Sequence, residues 1–480
     1  MPILFGWKRE SSDPKAGKYT FNVNRQGPFD GLARDLNFEN IPLFQTLGHC
    51  EYVLRHESYA RLRENGCIDQ YCPSNPEVLP FLEQWIDEYW EVFDSPRLFH
   101  VGADETMQLG VCPRCKAYAA THGVSELYRN HMDRIIEMVA ARGARPLLWA
   151  DIFLSHPESL AGLTRDVTLC DWAYGRDDNA TGVFLFCHGS FPVERVPPSA
   201  VEAFGELLFR PGSNRSQLNP WAAADHLASL GFDLLLCSAS SSWGDAVFAP
   251  RTGLHLSNIG DTVRHAAKLG AGGTILTSWT CHLFPWDLQR PLMAYGMAVA
   301  NGGHPAHDAF LDDYGRDRLG MADESFAQIC ALLESPCPLT DLDQLGFYKG
   351  CIKCHSGGLD EFLAGCDLAA MTTQADAAAS ACGKAKAILD AQPGGRIGSN
   401  REMDAWKLAA DCLAIRARSA RYLFTRQAGG SPSEDPRELA ALESRQRTRS
   451  LDAFMQKILP HRAEDMVSCR FDDVIDALRK

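Results

Sequence analysis

A chain of 480 residues, 45% hydrophobic and 22% charged, can hold one large domain with a second module and has the composition of an ordinary globular protein. With 47 Lys and Arg against 61 Asp and Glu the formal net charge is -14, and no basic run offsets it locally. Nucleic acid and anionic membranes are thereby excluded as expected partners, and a neutral or small ligand is favoured.

The opening residues, MPILFGWKRESSDPKAGKYT, carry only a short apolar run before charge. No apolar stretch of about 18 or more residues occurs, so neither a secretory signal nor a membrane span is expected. The 17 cysteines, an odd number without such a signal, read as reduced thiols. The expected compartment is the cytoplasm, and self-association is left open.

In chain order, 2–7 reads as a short strand, 10–27 as polar and turn-rich, and 29–36 as a brief helix. Residues 41–47 form a β-run ending in Gly48, His49, Cys50 and Glu51, and 57–64 is helical and charged. Helices are predicted over 76–93, with Leu79, Leu82, Trp85, Ile86 and Tyr89 on one stripe, and over 125–142, with Leu127, Ile135, Ile136 and Val139. Between them lies the strand of RLFHVGADETM, and after them the strand 146–149, ending in Ala150 and Asp151. The alternation continues through 167–169, which leads into Cys170, Asp171, Trp172, Ala173 and Tyr174, and through 183–186. An insertion at 192–219 precedes a helix at 220–230, a strand at 232–236, a helix at 261–269 and a last strand at 273–279.

Repeated βα units with nearly continuous apolar strands imply a parallel sheet covered on both faces. Strand ends loaded with Trp, Asp, His and Tyr favour a closed (β/α) barrel over residues 1–303 rather than an open doubly wound sheet. Residues 304–480 read as an α-helical region, with Ala-rich windows at 358–391, 403–424 and 437–458 separated by QPGGRIGSN and AGGSPSEDP.

The sharpest chemical signal is the adjacent pair Asp104 and Glu105. Neighbouring strand residues point to opposite faces, so two carboxylates converge on one ligand only where the strand ends. Gly102 and Ala103 mark that end, where one acid can protonate while the other stays ionised. The competing reading makes one of them the cap of the next helix.

The wording HVGADE resembles the HxGxDE signature of the family 20 glycoside hydrolases, the β-N-acetylhexosaminidases. The resemblance runs from about residue 41 to 303 and is closest to the hexosaminidase D branch, whose IPLxQTFGHxExVLK segment is similar to IPLFQTLGHCEYVLRH here. It implies a (β/α)8-type TIM barrel and an exo-acting hydrolase releasing terminal β-linked GlcNAc or GalNAc, without a cofactor. The implied mechanism is retaining and substrate-assisted: Glu105 is the general acid, and the ionised Asp104 orients the 2-acetamido group that attacks the anomeric carbon. By the same likeness His49 supports the acid and His100 is the family histidine before the aspartate. Trp149, Trp172, Trp243 and Trp279 are expected to face the sugar, with Asp151 near its hydroxyls. In LCDWAY, Asp171, Trp172 and Tyr174 stand where the branch has a Trp-Asp-Tyr pattern, and Tyr174 is expected to donate to the acetamide oxygen.

The chain departs from that branch in starting about one βα unit late, and in having Gly6, Trp7, Lys8, Arg9 and Glu10 in place of an acidic strand end. A non-catalytic sugar-binding or scaffold relative is therefore the second expectation. A third is a metal or redox protein, since Cys112 and Cys115 form a CxxC and Cys351, Cys354 and His355 a CxxCH. Nothing in the sequence shows that these pairs meet, so no metal is expected.

Overall fold

The computed structural model describes residues 38–93, 95–185, 189–242, 244–279, 285–341, 358–392, 400–455 and 471–480. The expected strand at 2–7, the helix at 29–36, Trp243 and the CxxCH at 351–355 lie outside the described residues. The chain divides into two compact units, one of residues 1–237 with 264–275, the other of 238–263 with 276–480.

The strands are β1 (Leu98–His100), β2 (Arg145–Trp149), β3 (Thr168–Trp172), β4 (Gly182–Leu185), β5 (Gly189–Pro192), β6 (Asp233–Ala239) and β7 (Gly273–Thr277). Five of them form one sheet in the order β1-β2-β3-β6-β7, and β1, β2, β3 and β6 pair in parallel. Residues 42–46 extend this sheet beside β1. Leu43 bridges His100 in parallel, and the Phe44 and Thr46 N–H groups donate to His100 and Val101 carbonyls at 2.9 and 3.2 Å. That register brings Gly48 and His49 to the same end of the sheet as the acids after β1.

The helices between the strands cover the sheet with the stripes the sequence predicts. Helix α1 (Val78–Val92) buries Val78, Leu82, Ile86 and Tyr89, at the three- and four-residue spacing of one helix face. After α2 (Pro113–His122), helix α3 (Val124–Ala141) buries Leu127, Tyr128, His131, Met132, Ile135, Ile136 and Val139. Phe44 stacks on Trp85 of α1 at 5.8 Å and Phe99 on Trp90 at 6.3 Å, which seats α1 against the first two extended segments. Helix α4 (Ala222–Ser229) leads to β6.

Two details differ from the sequence reading of this unit. Residues 183–186 do not continue the parallel series: β4 pairs antiparallel with β5 in a separate two-stranded sheet, Val183 opposite Phe191. The apolar run VFLF has the length of a buried strand whichever way its partner runs, and only the partner decides the direction. Second, among the described residues the parallel sheet holds five strands and the bridged 42–46 segment, so the expected ring is represented in part.

The second unit is predominantly helical and has its own core. Helix α5 (Thr252–Leu269) begins in it and ends in the first unit, and α6 (Arg290–Ala300), α7 (Leu368–Ala391), α8 (Asn400–Gln427) and α9 (Pro436–Met455) follow. α5 starts nine residues before the predicted 261–269 helix, because the polar residues of its first half have tertiary partners. His255, fully buried, lies 2.9 Å from Asp245. The Ala-rich helical window 358–391 is divided at Cys366 and Asp367, where the Asp367 carboxylate accepts the Ala369 and Ala370 N–H groups and caps α7. No helix of the described residues is long and apolar enough to cross a membrane.

Candidate active site

The loop after β1 does not run directly into a helix. The next helix, α2, begins at Pro113 with Cys112 as its cap, so neither Asp104 nor Glu105 caps it. Instead both carboxylates face His49, whose Nε2 lies 3.2 Å from Asp104 Oδ2 and 3.3 Å from Glu105 Oε2. The two side chains differ in access: 8% of Asp104 is exposed and 35% of Glu105.

Each acid is held from a different side. The Gln45 side chain forms a two-point clamp, its Nε2 donating to Asp104 Oδ1 and its Oε1 accepting the Ala103 N–H, both at 3.0 Å. The Glu105 N–H donates to Asp151 Oδ2 at 2.8 Å. Asp151 follows β2, and β2 neighbours β1, so parallel pairing alone brings it within reach. Burial, with the Asp104 charge beside it, pushes the Asp151 carboxyl up to about 8.

The backbone here is bent into conformations that side chains rarely adopt. His49, Ala103 and Glu105 have φ of 54°, 69° and 48°, and such residues cluster where a site must be held in one shape. Two glycines allow the close approach. A Cβ on Gly48 would stand 2.2 Å from the Asp104 carbonyl oxygen, and one on Gly102, at φ 66°, would overlap the Gln45 amide. Helix α3 supports both loops from behind. Tyr128 Oη donates to the Ala103 carbonyl at 3.3 Å, and His131 Nε2 lies 3.0 Å from the Thr46 carbonyl. Burial pushes His131 down to about 4, so the ring is neutral and donates that bond.

Beyond Asp151 a small pocket is lined by Leu154, Asp171, Trp172, Arg176, Phe184 and Leu185. Trp172 stacks on Tyr174 at 5.3 Å, and Asp171 is neutralised by Arg176 at 2.7 Å. Aromatic faces beside charged groups suit a ligand with an apolar C–H face and a polar rim.

Residues 46–184, which carry all of these groups except Gln45 and Leu185, match the catalytic domain of glycosyl hydrolase family 20. The segment that bears the acidic pair is thus similar to the catalytic domain of that family. Hexosaminidase D of Bos taurus is 33% identical over 162 residues, covering 32% of this chain and 47% of that protein. Hexosaminidase D of Homo sapiens is 30% identical over 178 residues, covering 35% and 36%. The matched part thus spans less than half of either relative. Among solved structures, a β-N-acetylhexosaminidase from Bacteroides fragilis superposes with TM-score 0.41 at 14% identity, over 62% of this chain and 56% of that one. A family 20 exo-β-N-acetylglucosaminidase from Vibrio harveyi does so with TM-score 0.37 at 16% identity, over 59% and 43%.

Within the matched segment the structure joins His49, Asp104, Glu105 and Asp151 directly, Asp171 and Trp172 line the pocket that Asp151 also lines, and Tyr174 stacks on Trp172. His100 is buried, accepting the Gly102 N–H on Nδ1 at 3.0 Å, and its ring centroid lies 4.4 Å from that of Trp149. Trp149 is itself only 1% exposed, so its ring forms wall where the resemblance implied a sugar platform. Asp151, expected near the sugar hydroxyls, lines the pocket and also accepts the Glu105 N–H. Trp279 belongs to the second unit, where its N–H donates to the Ser241 carbonyl and its carbonyl accepts the Ser241 hydroxyl. Gln45, Tyr128, His131 and Arg176 were not singled out from sequence. Gln45 sits inside the phrase that carried the resemblance, whereas Tyr128 and His131 lie on a helical stripe indistinguishable from core.

Proposed function

We propose that this chain is an exo-acting β-N-acetylhexosaminidase that releases terminal β-linked GlcNAc or GalNAc from N-acetylhexosamine-containing glycosides. The observation that carries the reading is the single His49 nitrogen shared by two adjacent carboxylates of unequal access. Glu105, the more open, is the general acid: it protonates the glycosidic oxygen as that bond breaks, then takes a proton from the incoming water. Asp104, enclosed and clamped by Gln45, stays ionised. It orients the acetamide N–H while the acetamide oxygen attacks the anomeric carbon, and it balances the positive charge of the oxazolinium that forms. The anomeric configuration is retained through two displacements.

Asp151 is a positioning residue that holds the Glu105 backbone. Trp172 and Tyr174 supply the apolar face for the sugar. No described cysteine is in a disulfide, which supports the cytoplasm as the working compartment.

The test is turnover of chromogenic β-GlcNAc and β-GalNAc glycosides beside the corresponding glucoside, which has no acetamide. Hydrolysis confined to the acetamido sugars, and strong inhibition by a thiazoline analogue of the oxazolinium, are expected. Equal hydrolysis of the glucoside overturns the substrate-assisted step. Binding of GlcNAc without any turnover establishes the sugar-binding relative instead.

A further inference from the structure

Outside the site just described, the first unit gathers four buried acidic groups at one point. The Sγ atoms of Cys72, Cys112 and Cys115 and a carboxylate oxygen of Glu64 all lie within 4.8 Å of one another. Glu64 and Cys115 are fully buried, Cys72 is 2% exposed and Cys112 8%. We propose that Glu64, Cys72, Cys112 and Cys115 form a structural zinc site.

The distances suit four ligands arranged about one ion. Cys72 Sγ lies 3.6 Å from both Cys112 Sγ and Cys115 Sγ, and Cys115 Sγ lies 3.2 Å from Glu64 Oε2. A tetrahedral zinc with Zn–S bonds of about 2.3 Å sets its sulfurs roughly 3.8 Å apart, and a carboxylate oxygen at about 2.0 Å from the metal stands roughly 3.5 Å from each sulfur. Disulfide sulfurs stand about 2.05 Å apart, and one disulfide would leave the third thiol and the carboxylate buried without a counterion. Among the described residues no Lys, Arg or His forms an ion pair with Glu64.

Local architecture also prepares the groups for a cation. Cys112 is the N-cap of α2, and its sulfur accepts the Cys115 N–H at 3.4 Å. The Cys112 N–H donates to Glu64 Oε1 at 2.6 Å, leaving Oε2 turned to the thiols. Glu64 and Cys72 come from the two arms of a loop closed by the Arg63–Tyr71 bridge, which sets them opposite the CxxC. Three thiolates select a soft or borderline ion over calcium or magnesium, and four protein ligands leave no position for substrate water.

Without metal, the Cys115 bond and burial hold the Cys72 thiol up, and burial does the same for Cys112, while the Cys72 hydrogen bond draws Cys115 down to about 7. Zinc binding forms three Zn–S bonds and one Zn–O bond and releases to solvent one proton for each thiol protonated beforehand. The sequence reading sought partners for this CxxC at 351–355. The fold brings Cys72 and Glu64 to it. Gln70, from the same arm, accepts the Gln108 N–H at 2.8 Å, so the metal would staple the loop that follows Glu105.

Untagged full-length protein, purified and dialysed without chelator, is expected to retain about one zinc per chain by elemental analysis. Cys72→Ser and Cys115→Ser are expected to retain less than about a tenth of that, while Cys366→Ser, at a half-buried thiol of the second unit, keeps it all. Should the serine variants fail to fold, wild type stripped of metal and titrated with Co²⁺ decides the matter. Visible bands of tetrahedral intensity and a thiolate-to-cobalt charge-transfer band, saturating at one equivalent, are expected. Wild-type protein that carries no stoichiometric zinc and gives no such spectrum overturns the site. So does full zinc retention in folded Cys72→Ser and Cys115→Ser. None of these outcomes depends on glycosidase activity.

Discussion

Glu105 is asked to be open and fixed at once, and its side chain and backbone divide the task. The side chain is a third exposed, whereas the backbone, at φ 48°, is tied to Asp151 by its N–H. If the side chain protonates the leaving oxygen, Glu105→Gln loses far more rate on glycosides with poor leaving groups than on activated aryl glycosides, which need little protonation. Comparing kcat/KM across a series of aglycones checks this, and equal losses remove Glu105 from the acid role. Asp151 leads to a pH prediction. Its carboxyl sits at about 8 in the folded chain against an ordinary 3.8. The folded state therefore keeps a proton that the unfolded state gives up, and stability from this group is lost as pH rises from about 4 to about 8. Asp151→Asn retains an acceptor for the Glu105 N–H and has nothing to ionise. The Tm of Asp151→Asn minus that of wild type is expected to rise steadily across that window, and a flat difference contradicts the assignment.

At the scale of elements, the βα repeat was legible because α1 and α3 bury residues at the helical period their sequences display, while β2 and β3 are buried almost continuously, as their unbroken apolar runs suggest. Residues 76–93 and 125–142 were read as helices, and Val78–Val92 and Val124–Ala141 are observed. The pattern misled where a side-chain bond overrides it. The window 358–391 reads as one uninterrupted Ala-rich stretch with no break signalled inside it, but Asp367 takes the first N–H groups of α7 and starts a new helix there. Asp367→Ala is expected to lower unfolding free energy by about 1 kcal/mol, and Asp367→Asn to be nearly neutral, since Asn caps as well as Asp. Denaturant midpoints of the two variants separate capping from mere removal of charge.

At the scale of the molecule, each unit has its own core. The first packs around Phe44, Phe99, Ile135 and Leu169, and the second around Trp406, Phe326, Leu413 and Phe424. Into the second core is set a fully buried ion pair, Arg416 to both oxygens of Glu443 at 3.0 and 3.1 Å, with Arg416 also donating to the Leu339 carbonyl. Removing one partner leaves the other charge buried. Arg416→Met is expected to destabilise by about 3–5 kcal/mol, and the double variant Arg416→Met, Glu443→Leu to recover much of that. Chemical denaturation of wild type, single and double variants reads this directly, and a single variant as stable as wild type refutes it.

By itself the sequence determined that this chain carries βα units and a helical C-terminal region, and it singled out Asp104 and Glu105 as an adjacent acidic pair where a strand ends. Periodicity and a contiguous motif are local properties, and they survive without coordinates. Tertiary structure alone decided that His49 spans both acids, that Asp151 serves the backbone of Glu105, and that Trp149 is wall. It also brought Cys72 and Glu64 to a CxxC some 40 residues further on. Each of these depends on which strands are neighbours and which loop arms close on each other. A sequence carries no spacing rule for contacts that parallel pairing creates between distant segments.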